Sequence, residues 1–254
     1  MSDVKIESKD GVLEIRIDRP TKKNALTIAM YAAMVEALEG GAKDPGTRAV
    51  AFTAEGETFT AGNDVLDFMN GLGGEGEPPV LRFIRLLATY EKPLVAAVNG
   101  AAVGLGTTML LHCDLVYASD TARLITPFVS LGLVPEAASS LLLPQRVGAA
   151  VAAEMLLLGA PLGAARAKEL GLINEIVPAA ELRATALARA AALAKQPPQA
   201  LKLARALLRG DVSATLKRLD DEAKLFAECL VGAEAREAFT AFFEKRAPDF
   251  SKLA

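Results

Sequence analysis

The 254-residue sequence predicts an α/β fold that is followed by a helical C-terminal part. Two observations carry this prediction. Up to about residue 135, short apolar runs with strand character alternate with helical patterns. Beyond Glu136 the sequence is almost wholly helical and rich in alanine and leucine. The strand–strand–helix rhythm of the first part is also compatible with a superhelical stack of ββα units.

The N-terminal segment has the pattern of a β-hairpin. Residues 4–7 and 12–17 alternate in the period-two manner of strands, and apolar residues of the second run are interleaved with Glu14 and Arg16. The Lys9-Asp10-Gly11 segment between the two runs is typical of a hairpin turn. We therefore expect two antiparallel strands with one apolar face.

The later elements follow from the same kind of pattern. Asn24 is predicted to cap a helix from about Leu26 to Leu38. The glycine- and proline-rich segment from Asn70 to Pro79 is predicted to be a loop. The remaining predictions are strands near 48–53, 93–98 and 114–118, a short strand at 173–177, and helices from about 179 to 247.

Composition limits the classes of function. Hydrophobic residues make up 52% of the chain, which suits one large domain or a domain with an appended subdomain. The net charge of −3 gives no reason to expect a nucleic-acid or anionic-membrane partner. The N-terminus lacks the apolar core of a signal peptide, and no apolar run reaches membrane-spanning length. We therefore expect a cytoplasmic protein, in which Cys113 and Cys229 are free thiols.

Two glycine-containing junctions point to a ligand site. Residues 58–65 and 97–106 each follow a strand-like run and lead into a helical pattern. Glycine at such a junction lets the backbone turn sharply and present its N–H groups to a ligand. Two junctions side by side can each give one N–H to the same carbonyl oxygen, which is the construction of an oxyanion hole.

Several motifs together resemble the enoyl-CoA hydratase/isomerase (crotonase) family over nearly the whole chain. They are Arg19-Pro20, Asn24-Ala25-Leu26, Ala61-Gly62-Asn63-Asp64, Asn99-Gly100 with Gly104-Leu105-Gly106, His112-Cys113-Asp114, and Phe243-Glu244-Lys245-Arg246 with Phe250. The resemblance implies a crotonase-like superhelix of ββα units at residues 1–190. It also implies a helical oligomerisation region at residues 191–254, which helps to form trimers or dimers of trimers.

The resemblance also implies the site residues. The two oxyanion-hole donors are the backbone N–H groups of Asn63 and Leu105, and the ligand is the thioester carbonyl of an acyl-CoA. Positions near Lys23 and Lys245 approach coenzyme A in the family, the second from a neighbouring subunit. The substrate-binding residues expected are Lys23, Ala25, Ala61, Gly62, Asn63, Asp64, Val65, Gly104, Leu105, Phe128 and Lys245. No metal or separate cofactor is expected, because coenzyme A is part of the substrate.

The sequence departs from the hydratases of this family at two positions. Those enzymes use two glutamates, where this chain has Thr108 and Phe128. A threonine hydroxyl cannot do the proton transfer of a carboxylate, and phenylalanine has no acid–base chemistry. Hydration by two glutamates is therefore not expected, and the Thr108 hydroxyl is assigned no proton to carry.

Glu136 is the carboxylate that takes the place of the two hydratase glutamates. The stretch from Thr126 to Ser140 resembles the Δ3,Δ2-enoyl-CoA isomerases, in which a glutamate at this place is the single catalytic acid/base. One carboxylate can move a proton from C2 to C4 while the oxyanion hole holds the dienolate. Apolar neighbours such as Phe128 and Val134 are expected to raise its pKa. The structural alternative is that Glu136 only complements the dipole of a following helix.

Other polar residues have structural interpretations. His112 lies at the end of an apolar run, Asp64 and Asp67 stand at a helix start where capping is expected, and Asp114 is expected to be a buried structural residue. The function expected is isomerisation of 3-enoyl-CoA to 2-enoyl-CoA in fatty-acid oxidation. The alternatives are enoyl-CoA hydration or another acyl-CoA reaction, and a catalytically silent acyl-CoA-binding paralogue.

Overall fold

The computed structural model describes residues 3–69 and 76–253. Within these ranges the strands are β1 (Val4–Lys9), β2 (Val12–Ile17), β3 (Ala49–Ala54), β4 (Thr58–Thr60), β5 (Leu94–Val98), β6 (Ala101–Val103), β7 (Leu115–Ala118), β8 (Arg123–Ile125), β9 (Leu162–Gly163) and β10 (Glu175–Ile176). The helices are α1 (Ile28–Lys43), α2 (Val65–Met69), α3 (Pro79–Thr89), α4 (Leu105–Thr108), α5 (Ser139–Val147), α6 (Ala149–Leu158), α7 (Ala164–Glu169), α8 (Ala179–Ala194), α9 (Pro198–Arg209), α10 (Ser213–Leu230) and α11 (Ala233–Glu244). Short 3₁₀ turns lie at Pro20–Lys22, Met109–His112, Val129–Leu131 and Phe250–Lys252.

Successive strand pairs are divided between two sheets. The larger sheet has the order β1-β2-β3-β5-β7-β10, and the smaller has the order β4-β6-β8-β9. In the pairs β3–β4, β5–β6 and β7–β8, the first strand enters the larger sheet and the second enters the smaller one. A helical segment follows each pair, and equivalent strands of successive units pair in parallel. The expected ββα superhelix is confirmed in this arrangement.

The N-terminal hairpin is confirmed, but its second face differs from the sequence prediction. β1 and β2 are antiparallel, and Asp10 and Gly11 have the positive φ values that the turn requires. Glu14 is only 5% exposed because α8 covers the second face of the larger sheet. The carboxylate of Glu14 accepts hydrogen bonds from Thr53 and Arg183, which offset the cost of its burial.

The first long helix is confirmed, and its predicted cap is wrong. Helix α1 begins at Ile28, and the Thr27 hydroxyl accepts a hydrogen bond from the N–H of Met30 at 3.2 Å. Asn24 is instead fully buried with φ 55°, and its side-chain amide donates to the carbonyls of Glu55 and Thr58. It therefore fixes the loop before α1 against β4.

The other predicted elements agree with the structure to within a few residues. The strands near 48–53, 93–98 and 114–118 correspond to β3, β5 and β7, and the strand predicted at 173–177 is reduced to β10. The last turn of α8 includes residues 191–194, which lie on the C-terminal side of the boundary expected at residue 190. Residues 70–75 of the predicted loop lie outside the described residues.

The main core is formed by buried side chains of the larger sheet, α1 and α3, together with side chains of later elements. α10 returns from the C-terminal part and packs on α3 and α5. Cys113 and Cys229 are both free. In the described ranges, no helix combines the length and apolar character of a membrane span.

Candidate active site

The two glycine-containing junctions are brought side by side by the smaller sheet. β4 and β6 pair in parallel, so their carboxyl ends lie next to each other. Gly62 follows β4 with φ 88°, and a Cβ atom placed on it would lie 3.1 Å from the carbonyl oxygen of Val103. A Cβ atom on Gly106 would overlap the side chain of Thr60. Glycine is therefore needed at both positions for the junctions to approach this closely.

The first junction leaves one backbone donor unused. The N–H of Ala61 donates to the Lys23 carbonyl, that of Gly62 to the Thr60 hydroxyl, and that of Asp64 to the Leu26 carbonyl. The N–H of Asn63 forms no hydrogen bond within the described residues. Asn63 is thus the one residue of Ala61 to Asp64 whose N–H remains available to a ligand.

The second junction likewise leaves one backbone N–H without a partner among the described residues. Gly104 adopts φ 56°, and its N–H donates to the Ile125 carbonyl at 2.9 Å. Leu105 begins α4, so its N–H has no partner inside the helix, and it finds none elsewhere in residues 3–69 and 76–253. The Leu105 side chain is buried, so only its backbone can serve a ligand.

The side chain of Asn63 is held by a tyrosine that sequence reasoning missed. The Tyr31 hydroxyl of α1 donates to Oδ1 of Asn63 at 2.5 Å. Tyr31 is buried, with its ring 5.7 Å from the ring of Phe83. Burial, and after it the charge of Glu136, raise the pKa of this hydroxyl well above its usual value, so Tyr31 acts as a donor. The two residues are 32 positions apart, and no local pattern indicates the contact.

Asn63 and Glu136 meet at an apolar cavity of about 60 Å³. Its walls come from α3, α10 and the turn that carries Glu136. The lining residues are Asn63, Val80, Leu81, Ile84, Glu136, Ala137, Leu219, Ala223, Phe226 and Ala227. Among these lining residues Glu136 alone is ionisable. The structure thus places the predicted acid/base beside one of the two predicted oxyanion donors.

Glu136 is a strongly perturbed carboxyl. Burial raises its pKa from 4.5 to about 8, the hydrogen bond from Thr108 opposes this rise, and the charge of Glu222 adds to it. The Thr108 hydroxyl donates to Oε1 of Glu136. That Thr108 carries no proton in the reaction stays a prediction, and the structure adds that its hydroxyl binds the carboxyl directly.

Phe128 does not line the cavity. It is buried at the start of the Val129–Leu131 turn, where its carbonyl accepts hydrogen bonds from Leu131 and Leu133. Neither Phe128 nor Val134 belongs to the cavity wall. The apolar surroundings of Glu136 come instead from α3 and α10, which no local sequence pattern connects with the site.

The aspartates after the first junction are structural in this fold. Asp64 pairs with Arg19 at 2.7 Å and accepts a hydrogen bond from the N–H of Asp67, and the bond from Arg19 lowers the pKa of Asp64. Asp67 accepts from the N–H of Ile28 at 2.6 Å, so it binds the start of α1. Val65 begins α2 and packs against the main core.

His112 and Asp114 also hold structural contacts. His112 is buried, its Nε2 lies 2.9 Å from the Ala137 carbonyl oxygen, and burial lowers its pKa to about 4. Asp114 accepts from the N–H of Leu94 and from Arg205. The neutral imidazole of His112 therefore supports the turn next to Glu136.

The residues expected near coenzyme A lie outside the cavity. Lys23 and Lys245 are exposed and adopt positive φ, Lys245 at the end of α11. The carbonyl of Lys23 is tied to Ala61, and the carbonyl of Ala25 accepts from Arg19. Lys23 is thus attached to the first junction, whereas Lys245 belongs to a helix that contributes nothing to the cavity lining.

Known proteins resemble this chain in sequence and in structure. A family model described as enoyl-CoA hydratase/isomerase matches residues 7–252. Enoyl-CoA delta isomerase 2 of Rattus norvegicus is 38% identical over 223 residues, and this match covers 85% of the chain but only 57% of the rat protein. 2,3-Dehydroadipyl-CoA hydratase of Escherichia coli is 32% identical over 256 residues, covering 98% of this chain and 99% of that protein.

A solved structure gives the same result. The crystal structure of an enoyl-CoA hydratase/isomerase from Pseudoalteromonas atlantica superposes with a TM-score of 0.95 and is 45% identical. The match covers 98% of this chain and 100% of that one. Since the sequence match and the superposition each extend over nearly the whole chain, this protein belongs to the enoyl-CoA hydratase/isomerase (crotonase) family.

Proposed function

We propose that this chain is a Δ3,Δ2-enoyl-CoA isomerase, which moves the double bond of a 3-enoyl-CoA to the 2-position during fatty-acid oxidation. One observation carries the proposal: Glu136 is the ionisable residue among those lining the apolar cavity, and it lies there beside Asn63. A single carboxyl in an apolar cavity suits a reaction that needs one proton carrier and no water.

The reaction can be written with the residues at hand. The thioester oxygen accepts hydrogen bonds from the N–H groups of Asn63 and Leu105. Glu136 removes a proton from C2, and the electron pair of the broken C–H bond enters a dienolate with its charge on that oxygen. Glu136 then returns the proton to C4, which leaves the double bond between C2 and C3. Hydrogen bonds that strengthen as the oxygen becomes charged lower the barrier of the first step.

The high proton affinity of Glu136 supports this role. A base removes a proton from carbon more readily when its own pKa is closer to that of the substrate, and burial raises the pKa of Glu136 to about 8. The apolar side chains around it also keep water from the dienolate. The same features disfavour hydration, because a water nucleophile needs space and a second acid/base.

Enoyl-CoA hydration is the second candidate, because the similarity to the hydratase of Escherichia coli extends over 98% of this chain. Against it, hydratases of this family place glutamates where this chain has Thr108 and Phe128. The Thr108 hydroxyl donates a hydrogen bond to Glu136, and Phe128 is buried and does not line the cavity. A second carboxyl for activating water is therefore missing from the residues that line the cavity.

Initial rates on two substrates test the proposal. We expect purified protein to isomerise 3-enoyl-CoA at least ~10-fold faster than it hydrates 2-enoyl-CoA, because one acid/base is missing for hydration. Equal or faster hydration would reject the isomerase assignment. Binding of acyl-CoA without either reaction would favour a catalytically silent paralogue.

We propose further that the chain assembles as a homotrimer or hexamer. Three leucines of α9 are strongly exposed: Leu203 at 54%, Leu207 at 84% and Leu208 at 88%. Such an apolar row is costly in water and suits a subunit interface. Light scattering at micromolar concentration is expected to give three or six times the monomer mass. A monomer would contradict both the assembly and a contact of Lys245 with coenzyme A on a neighbouring subunit.

A further inference from the structure

The turn that carries Glu136 has an unusual backbone. Ala137 and Ala138 follow Glu136 with φ values of 58° and 57°, although neither is glycine. Two successive residues with side chains in the left-handed region cost roughly 1 kcal/mol or more each. Both alanines are buried, so surrounding contacts must hold the turn in this conformation.

A glutamate of α10 supplies one of these contacts from 82 residues away. Oε1 of Glu222 accepts hydrogen bonds from the N–H of Ser140 at 2.9 Å and from the Ser140 hydroxyl at 2.5 Å. Arg218 donates to the same hydroxyl at 2.9 Å. Glu222 therefore binds the first turn of α5, directly after the two alanines. His112 contacts the same turn through the Ala137 carbonyl.

Holding the turn does not explain why this residue is a carboxylic acid. Glu222 is 5% exposed, and its Oε2 is buried without a hydrogen-bond partner among the described residues. Burial is the largest influence and raises the pKa of Glu222 above its usual value, although the hydrogen bonds from Ser140 and Ala138 and the charge of Arg218 oppose that rise. An uncharged glutamine could accept the bond from the Ser140 N–H equally well. A buried carboxylate with an unpaired oxygen is costly, and the contacts with Ser140, Ala138 and Arg218 offset only part of that cost because the pKa of Glu222 remains raised. The carboxyl group therefore suggests a second role.

The neighbourhood of Glu136 indicates that role. The titratable group that acts on the pKa of Glu136 is Glu222 of α10, and the charge of Glu136 in turn acts on Tyr31 of α1, while α4 contributes the neutral hydroxyl of Thr108 and α3 lines the cavity only with apolar side chains. His112 is neutral. Of these groups, Glu222 is the one whose ionised form raises the pKa of Glu136. When Glu136 captures a proton, its own charge disappears, and repulsion from Glu222 is relieved.

We propose that Glu222 is a positioning residue for Glu136, which holds the Ala137–Ala138 turn and places a second negative charge beside the base so that proton capture is favoured. This inference rests on the proposed role of Glu136 as the acid/base. It makes α10, from the C-terminal part of the chain, a component of the acid–base machinery and not only a wall of the cavity.

The test compares Glu222→Gln with Asp221→Asn. Asp221 is the preceding residue of the same helix, exposed and paired with Lys217, so its variant loses the same charge outside the site. The first measurement is a ¹³C NMR titration of the Glu136 carboxyl, whose signal is assigned by its loss in Glu136→Gln. The second is the rate on 3-enoyl-CoA.

In Glu222→Gln we expect the pKa of Glu136 to fall, with KM unchanged. Above about pH 9, where Glu136 is ionised in both proteins, kcat should decrease by about threefold because the base is weaker. At pH 7 kcat should not decrease, because more of the base is ionised there. Asp221→Asn is expected to change neither the pKa of Glu136 nor kcat. An unchanged Glu136 titration in Glu222→Gln would overturn the proposal, as would a loss of kcat that follows only a loss of thermal stability. If wild-type protein lacks isomerase activity while the titration still moves, the proposed function fails and the electrostatic coupling stands.

Ser140→Ala tests the holding contact separately. This variant keeps both carboxyls and removes one of the two donors to Glu222. We expect kcat to fall by about twofold, while the pKa of Glu136 stays raised. Should kcat remain unchanged, the positioning part of the proposal would be contradicted, even if Glu222→Gln did not fold.

Discussion

The two halves of the candidate site are built in different ways. In one half, the N–H groups of Asn63 and Leu105 are fixed by the backbone at the ends of two neighbouring strands, and Asn63 also lines the cavity. In the other half, Glu136 is fixed and tuned by side chains from distant elements: Thr108 of α4, His112, and Glu222 of α10. The donor side is thus a property of local chain geometry, whereas the acid–base side is a property of tertiary packing.

This difference predicts how each side responds to mutation. The donor side should depend on backbone geometry, so it should not tolerate a Cβ atom at a close approach, whereas a change of the Leu105 side chain should act through stability because that side chain is part of the core. The acid–base side should respond in a graded way, because several side chains share the control of one carboxyl. The following variants separate these behaviours, beginning with the largest expected effect.

Glu136→Gln removes the base and keeps the size and the hydrogen bond to Thr108. We expect kcat on 3-enoyl-CoA to fall by about 10²- to 10⁴-fold, because the proton at C2 then has no acceptor. Affinity for acyl-CoA should change little. The matched control is Glu154→Gln, at an exposed position of α6. An active Glu136→Gln enzyme would contradict the mechanism even with the fold and the ligand unchanged.

Gly62→Ala tests the donor side. The positive φ of 88° and the Val103 carbonyl oxygen, 3.1 Å from the new Cβ, should displace the Asn63 N–H. We expect kcat/KM to fall by about 10- to 100-fold, less than for complete loss of a donor. Gly40→Ala is the control, since a Cβ there meets nothing within 4 Å and lies in α1. Full activity of Gly62→Ala would show that this close approach does not fix the position of the Asn63 N–H.

Thr108→Val tests a single contact on the acid–base side. Because the Thr108 hydrogen bond lowers the pKa of Glu136, its removal should raise that pKa further and leave less of the base form at pH 7. We expect kcat at pH 7 to fall by about three- to tenfold and to recover at higher pH. Thr108→Ser should behave like wild type. A pH-independent loss would indicate a steric effect of valine instead.

The backbone side was largely predictable from the sequence. Periodicity indicated the hairpin, the later strands and the C-terminal helices, because these depend on local pattern. The two junctions were found from Gly62 and from Gly104 with Gly106, since a glycine at a strand–helix boundary indicates a sharp turn or a close approach of the backbone. The helix cap was misassigned to Asn24, because a residue that caps a helix and one that bridges two loops have the same local signature.

The environment of Glu136 could not be predicted in the same way. The resemblance identified Glu136 itself, but Phe128 and Val134 were named as its apolar neighbours on account of their closeness in sequence. The structure supplies Ile84 of α3 and Phe226 of α10 instead. The contacts of Tyr31 with Asn63 and of Thr108 with Glu136 span 32 and 28 residues. Only the packing of whole elements determines such contacts.

The pH dependence of kcat/KM on 3-enoyl-CoA tests the central claim most directly, because it reports the ionisation of the base in the free enzyme. Glu136 must be ionised to accept a proton, and its pKa is about 8. The account therefore predicts that kcat/KM rises about tenfold per pH unit below this value and levels off above it. A kcat/KM that is constant from about pH 6 to pH 9 would contradict the account, since it would give the base the ordinary pKa of an exposed glutamate.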